Sequence, residues 1–447
     1  MSRDRSPDPA PVRHRTATGV PPRYAAPTPR PERWRTAGGT GPPRPPRITM
    51  RMVLRNLEFR ALTIAQLTSL GGDQLARVAL SVLVFTRTNS PIYASAAFAL
   101  SFLPAAIGSP IFGGLADRLP RKGVMIVGDL ARAPLVGLIA IPGIPLPLAM
   151  VLIAVAGLIE SPFESARGAL LPDVLHGEKY QVGYALSQIC VQAAQVGGYG
   201  LAGLLLITLS PPVLLMIDAA TFLVSAVLIA RNVRARPAAA AKEPTTHRSG
   251  WWRHAMGDAR LGARLVMRRH GLRWLVLLAW TTTLTSISFE ALGPPLARAS
   301  GSASWTVGVI LAAQPVGMVL GSILVTRVPQ ERRPSTIRLL ALLCVLPLVL
   351  GIFRPPLPVL LIIGVVSGCG GAFNVLASAM FIASLSPDVR GRALAFVGTG
   401  ILLGNGAGVL IAGAVATAID PRVAFGVIGL IGVAMVLCVE LDGLRPS

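Results

Sequence analysis

The chain has 447 residues, of which 52% are hydrophobic and only 14% charged. A soluble domain usually carries about 25% charged residues, and here the charge gathers in an N-terminal stretch and in short connectors, leaving runs of roughly 20 apolar residues, enough helix to cross a bilayer core about 30 Å thick. That pattern excludes a soluble globular protein, and although the formal charge is +22, the basic residues sit in the tail and in loops of one side, as membrane orientation requires, so nucleic-acid binding is not implied.

Residues 1–55 form a basic, Pro-rich tail with almost no large aliphatic residues, a composition that cannot build a core. The tail lacks the apolar stretch of a signal peptide, so the first spanning helix serves as insertion signal. Two readings stay open for it: a native tail, or an extension ahead of a translation start at Met50 or Met52. Twelve apolar runs follow, at roughly 59–86, 91–116, 123–142, 146–170, 179–208, 212–231, 272–297, 303–327, 337–353, 357–384, 391–418 and 421–440.

Arg118, Arg121 and Lys122 follow the second run, Arg167 and Lys179 flank the 4–5 turn, and Arg327, Arg332, Arg333, Arg338, Arg390 and Arg392 lie in the same set of connectors. The other set holds only Arg87, Arg298, Arg354 and Arg422. This bias places both termini in the cytoplasm and requires an even number of spans. The expected architecture is therefore an all-α membrane protein of twelve transmembrane helices in two six-helix halves, residues 56–231 and 271–442, with a short C-terminal tail at 443–447.

Residues 232–270 join the halves as a cytoplasmic linker. The second part of it, WWRHAMGDARLGARLVMRRH, puts Arg260, Arg264 and Arg268 on one helical stripe, with Trp251, Trp252, Leu261 and Leu265 for apolar contact. That pattern predicts an amphipathic helix along the cytoplasmic leaflet. A weak repeat supports the division into halves: Pro172-Asp173-Val174 after the fourth span is matched by Pro387-Asp388-Val389 after the tenth.

The stretch Gly113-Gly114-Leu115-Ala116-Asp117-Arg118-Leu119-Pro120-Arg121-Lys122 resembles the 2–3 loop signature of the major facilitator superfamily, with Pro120 where the family prefers Gly. The resemblance extends over about residues 52–442. SLGGDQLARVAL in span 1, GDLAR in span 3, SARGALLPDV leaving span 4 and DAATFLVSA in span 6 are similar to the drug and siderophore exporters of that superfamily, the branch of macrolide and enterobactin exporters. It implies a secondary transporter working by alternating access. It also implies a cytoplasmic latch of Gly113, Gly114, Asp117, Arg118, Arg121, Lys122 and Arg167, with Asp117 at a helix N-terminus beside Arg167. Exporters of this branch often carry a glycine-rich fifth span with a Gly-Pro pair. Here Gly198 and Gly203 match but Tyr199 stands at the Pro position.

An ionisable group inside a spanning helix costs about 2.5–3.5 kcal/mol on insertion scales, so each one requires a reason. Asp73 lies near the middle of span 1 with Arg77 one turn later, and the pair is the first candidate for proton coupling. Glu160 in span 4 and Glu290 in span 7 are the further candidates. Asp129 and Arg132, three residues apart in span 3, are expected to pair locally. Gln74, Gln188, Gln192, Gln314, Asn374, Asn405 and Phe289 are candidates for a substrate cavity whose apolar walls and scattered amides suit an amphipathic ligand. No phosphate-cradling loop, Cys/His metal spacing or nucleophile motif is present, so neither enzyme activity nor a metal is expected. The sequence reading is a monomeric bacterial inner-membrane transporter for a hydrophobic or amphipathic small molecule. The expected drive is the proton gradient, without a cofactor, and the expected direction is export. An importer or facilitator of the same fold, or a transport-silent sensor or scaffold, are the alternatives.

Overall fold

The computed structural model describes residues 49–101, 103–105, 108, 119–236 and 251–443. A short α1 (Met50–Leu54) leads into α2 (Leu57–Thr88), whose start is capped by Asn56: its side chain accepts the amides of Glu58 and Phe59 at 3.0 and 3.2 Å. At its far end Asn89 takes the left-handed conformation, φ 50°, that short polar side chains tolerate. There follow α3 (Pro91–Ala99), α4 (Arg121–Ile139), α5 (Leu146–Val174), α6 (Glu178–Leu205) and α7 (Pro211–Asn232). After the linker come α8 (Trp251–Arg268), α9 (His270–Ala291), α10 (Gly293–Ala299), α11 (Thr306–Val325), α12 (Arg333–Val345), α13 (Leu357–Gly371), α14 (Phe373–Ala383), α15 (Pro387–Ala418) and α16 (Pro421–Gly443).

Proline sets several boundaries. It occupies the first turn of α3, α7, α15 and α16, where a missing amide costs nothing. Pro294 and Pro295 separate α10 from α9, so the seventh predicted span is two helical pieces. Pro347 lies where α12 tightens into the 3₁₀ stretch Leu346–Phe353.

Eight of the described helical segments are long and apolar enough to cross a membrane: Leu146–Val174, Pro211–Asn232 and six from His270 onward. The predicted spans outside this set are the first, second, third and fifth. The second is described only in part. The other three, α2, α4 and α6, are diluted by the charged and amide residues that build the site described below. Large apolar side chains point outward all round, among them Val127, Leu204, Leu339 and Ile362, each more than 60% exposed. An outer surface of that kind is stable only against lipid.

We call the end of the bundle opposite Thr49 the distal end; the chain turns there near residues 89, 142, 208, 303, 355 and 419. The halves meet at this end through glycines. A Cβ on Gly308 of α11 would lie 2.6 Å from the Tyr199 carbonyl of α6, and one on Gly413 of α15 would lie 2.6 Å from the Ser95 Cβ of α3. These small residues allow helix backbones to touch. Arg298 of α10 adds a hydrogen bond to the Asn89 side chain and stacks 5.8 Å over the Phe85 ring.

The linker helix α8 keeps one face against the bundle and leaves another outward; the side chains of Trp251 and Trp252 lie outside the described residues. Leu261 is 40% exposed and so on the outward side, and the inward face is Gly262 and Val266. A Cβ on Gly262 would lie 2.7 Å from the Arg392 carbonyl, so α8 docks on the start of α15. Val266 is fully buried there, while Arg260, Arg264 and Arg268 face outward as the stripe predicts. Glu58 at the start of α2 is bound by Arg236 and by the Arg234 amide, which fixes the exit of the first half into the linker.

Candidate functional site

Two adjoining spaces lie inside the bundle. The larger, about 460 Å³, lies between the halves. The first half contributes Arg77, Phe98, Gln192 and Gln195; the second contributes Thr283, Ser286, Glu290, Gln314, Ser367, Asn374 and Asn405, with Ile287, Met318 and Ile401 as apolar wall. The smaller, about 60 Å³, lies within the first half and holds Asp73, Arg77, Arg132, Glu160 and Asp218. It has room for one or a few water molecules. Arg77 belongs to both linings.

Arg132 of α4 is the centre of the smaller space. Its Nη2 donates to Asp73 Oδ1 of α2 at 2.7 Å and lies 3.8 Å from Glu160 Oε2 of α5. Its guanidinium also stacks 4.3 Å over the Phe222 ring of α7. Asp218 of α7, 1% exposed, accepts the Thr221 hydroxyl at 3.2 Å and presses against Gly72 of α2, where a side chain has no room. Gly72 in the double glycine of span 1 is thus what admits the α7 carboxyl to the cluster.

Several expectations are corrected. Arg132 does not pair with Asp129 three residues earlier but reaches across to Asp73. Asp129 is fully buried, and the polar side chain facing it is Ser225. Arg77 accordingly does not salt-bridge Asp73; its Nη1 donates to Gln74 Oε1 at 3.3 Å. Gln74 is itself 6% exposed and packs against Gly198 of α6 rather than lining the cavity. Phe289 is also withdrawn from the cavity: fully buried, it meets the Phe425 ring edge-on at 5.9 Å. One residue of helical rotation turns Glu290 toward the cavity and Phe289 toward α16. Gln188 is exposed and lies outside the lining.

Gln192, Gln314, Asn374 and Asn405 line the larger space as expected from sequence. Gln314 Nε2 donates to the Ser367 hydroxyl at 3.0 Å and to the Ser286 carbonyl at 3.3 Å. The hydroxyls of Thr283, Ser286 and Ser367 went unread because isolated Ser and Thr inside apolar runs give no pattern.

Of the latch residues, Gly113, Gly114, Asp117 and Arg118 lie outside the described residues. Arg121 binds Asp173 and the Ala169 carbonyl near the end of α5, and Lys122 binds the Ala230 carbonyl near the end of α7 at 2.7 Å. Both cations therefore meet the carbonyl-rich ends of helices, where positive charge is favoured. Arg167 is taken by Glu164, at 2.6 Å, and by the Ser187 hydroxyl at 3.1 Å; Ser187 passes the chain on to Gln66 at 2.8 Å.

Two half-bundles around a shared cavity, closed at one end by glycine contacts, agree with a family-level match: the Major Facilitator Superfamily model fits residues 62–353 and 275–442. The chain belongs to this superfamily. It is a membrane transporter, in a family of transporters rather than enzymes. The multidrug efflux pump Tap of Mycolicibacterium fortuitum is 23% identical over 80% of this chain and 88% of its own length. The uncharacterized MFS-type transporter YvqJ of Bacillus subtilis is 23% identical over 60% of this chain, which spans 65% of that relative. Among solved structures, a bacterial homologue of the lysosomal transporter Spinster superposes with a TM-score of 0.67 at 13% identity, covering 88% of this chain and 99% of its own. The nucleoside transporter NupG gives 0.65 at 13% identity, covering 86% and 100%. At such identities the likeness shows the shared fold.

Proposed function

We propose that this superfamily member is a proton-driven exporter of a hydrophobic or amphipathic small molecule, working by alternating access in a bacterial inner membrane. The observation that carries the reading is the pair of adjoining spaces. The cavity between the halves is large enough for a drug-sized molecule, and Arg77 joins it to a largely buried cluster of ionisable groups. In that cluster and beside it, the carboxyls of Asp73, Glu160, Asp218 and Asp129 outnumber the guanidiniums of Arg77 and Arg132. A buried cluster with more carboxyls than cations has the capacity to take up a proton and release it again.

In this reading Asp73 is the carboxyl that exchanges its hold on Arg132 for a proton, Glu160 shares Arg132 with it, and Arg77 carries the change to the cavity wall. Gln192, Gln314, Asn374 and Asn405 present amides that bind a ligand's polar groups without fixing its charge. The drive is the proton gradient, with no bound cofactor. Export is favoured by the likeness to Tap; both termini in the cytoplasm and a monomeric unit belong to the same proposal. The test is accumulation of a panel of dyes and antibiotics in cells with and without the protein, before and after a protonophore. The reading expects at least one compound to be held down in expressing cells and to rise when the protonophore is added. Unchanged accumulation across a broad panel refutes export, and protein-dependent entry of a panel compound assigns the alternative, import.

A further inference from the structure

Tyr199 is one of the largest fully buried side chains of the molecule. It lies at the point where the halves touch. Gly308 of α11 packs against the Gly203 backbone and, next nearest, against the Tyr199 carbonyl, with Gly203 one turn on closing against the Trp305 carbonyl. Its hydroxyl donates to Glu290 Oε2 of α9 at 3.4 Å, and Arg77 of α2 approaches the same hydroxyl from within the first half. A side chain of the first half is thus held between a cation of its own half and a carboxyl of the other.

We propose that Tyr199 is a positioning residue that makes closure of the distal end depend on the charge of Glu290. This inference rests on the proton-driven reading above. As a carboxylate, Glu290 accepts the phenol with charge assistance across 3.4 Å, and the bond ties α9 to α6 beside the Gly203 and Gly308 contact. Once Glu290 takes a proton from the cavity, the bond loses its charge-assisted part and the seal loosens. A hydrogen bond to a charged group is worth roughly tenfold or more in an equilibrium. The charged groups facing this pair among the described residues are Arg77 of α2 and, behind it, Asp73 and Glu160. Gln195 of α6, Gln314 of α11 and Asn405 of α15 complete the wall and are neutral.

The experiment needs no substrate. Spin labels are attached at Val213 and Phe353, exposed residues of opposite halves at the distal end, in full-length protein lacking its four native cysteines. Inter-label distances are then measured in nanodiscs between pH 8.5 and pH 5.5. The parent protein is expected to shift from short toward long distances as pH falls, by about tenfold in the ratio of the two populations. Tyr199→Phe, which keeps the ring and removes the hydroxyl, is expected to show the same distribution at both pH values. Glu290→Gln, permanently neutral, is expected to do likewise and serves if Tyr199→Phe does not fold. A parent distribution that ignores pH, or a parent-like response in either variant, overturns the proposal. The pH response with no proton-driven efflux would instead count against the functional reading, and efflux without the response would count against Tyr199 alone.

Discussion

Placing a methyl group on Gly308 should drive the halves apart at the distal end. The Cβ of Gly308→Ala would lie 2.4 Å from the Gly203 Cα and N and 2.6 Å from the Tyr199 carbonyl, whereas ordinary contact begins at 3.4 Å, so α11 must retreat from α6 by about 1.0 Å. The obstructing atoms are backbone, here and at Gly203, and no side chain can swing away. Overpacking of this sort costs about 1–3 kcal/mol. The cost falls only on the state closed at this end, because the contact is absent once the halves separate. A differential of that size moves a two-state equilibrium by roughly 5- to 150-fold. The assay is reaction of a thiol reagent with a cysteine at Ser95, a fully buried residue in the same seal, in the cysteine-free background. The labelling rate should rise at least fivefold in Gly308→Ala at constant pH, with folding checked by gel filtration. A folded variant with the parent's labelling rate would refute the claim that glycine contact holds this end shut.

Two further outcomes follow from the site and from the connectors. Arg132→Leu leaves Asp73 and Glu160 without their 2.7 and 3.8 Å partner, and stranding buried carboxylates costs about 3–5 kcal/mol; thermal unfolding in detergent should show a markedly lower Tm, and an unchanged Tm would remove Arg132 from the centre of the cluster. Asp420 caps α16, accepting the Arg422 amide at 2.8 Å as well as its guanidinium. Burial pushes its carboxyl up, but the hydrogen bonds and charge of Arg422 outweigh that and hold it below the ordinary value of 3.8. A depressed carboxyl contributes stability above its unfolded pKa and loses it as pH falls through the folded one. Asp420→Ala should therefore cost about 1 kcal/mol near neutral pH, with the gap to the parent protein narrowing below about pH 4; a constant gap down to pH 3 would contradict the assignment.

Much of the architecture was legible because a bilayer imposes length and apolarity on each crossing segment. The positions of the ionisable residues were legible for the complementary reason: a charge in an apolar run is costly and stands out. Their partners were not. Arg132 and Asp129 are three residues apart, a spacing that permits contact, but the Arg132 side chain is long enough to reach α2 and α5, where Asp73 and Glu160 offer two acceptors instead of one. Neighbours in sequence also diverge by helical rotation, as when Glu290 enters the cavity and Phe289 the core. Gln74 was read as polar lining, yet the glycine opposite it, Gly198, draws α6 close enough to bury it. Tyr199 is visible as a departure from a family pattern, but its contact with Glu290 depends on α6 and α9 coming together, which no local pattern records.

The central claim is that a buried carboxyl cluster drives the cargo with protons. It is tested most directly in proteoliposomes holding the purified full-length protein, given a pH gradient and one compound that the cellular panel identifies as exported. The account predicts accumulation against the compound's own gradient, collapse on adding a protonophore, and loss of uphill accumulation in Asp73→Asn, which keeps an acceptor for Arg132 but cannot exchange a proton. Equal accumulation by Asp73→Asn and the parent protein, or accumulation indifferent to the pH gradient, would contradict it.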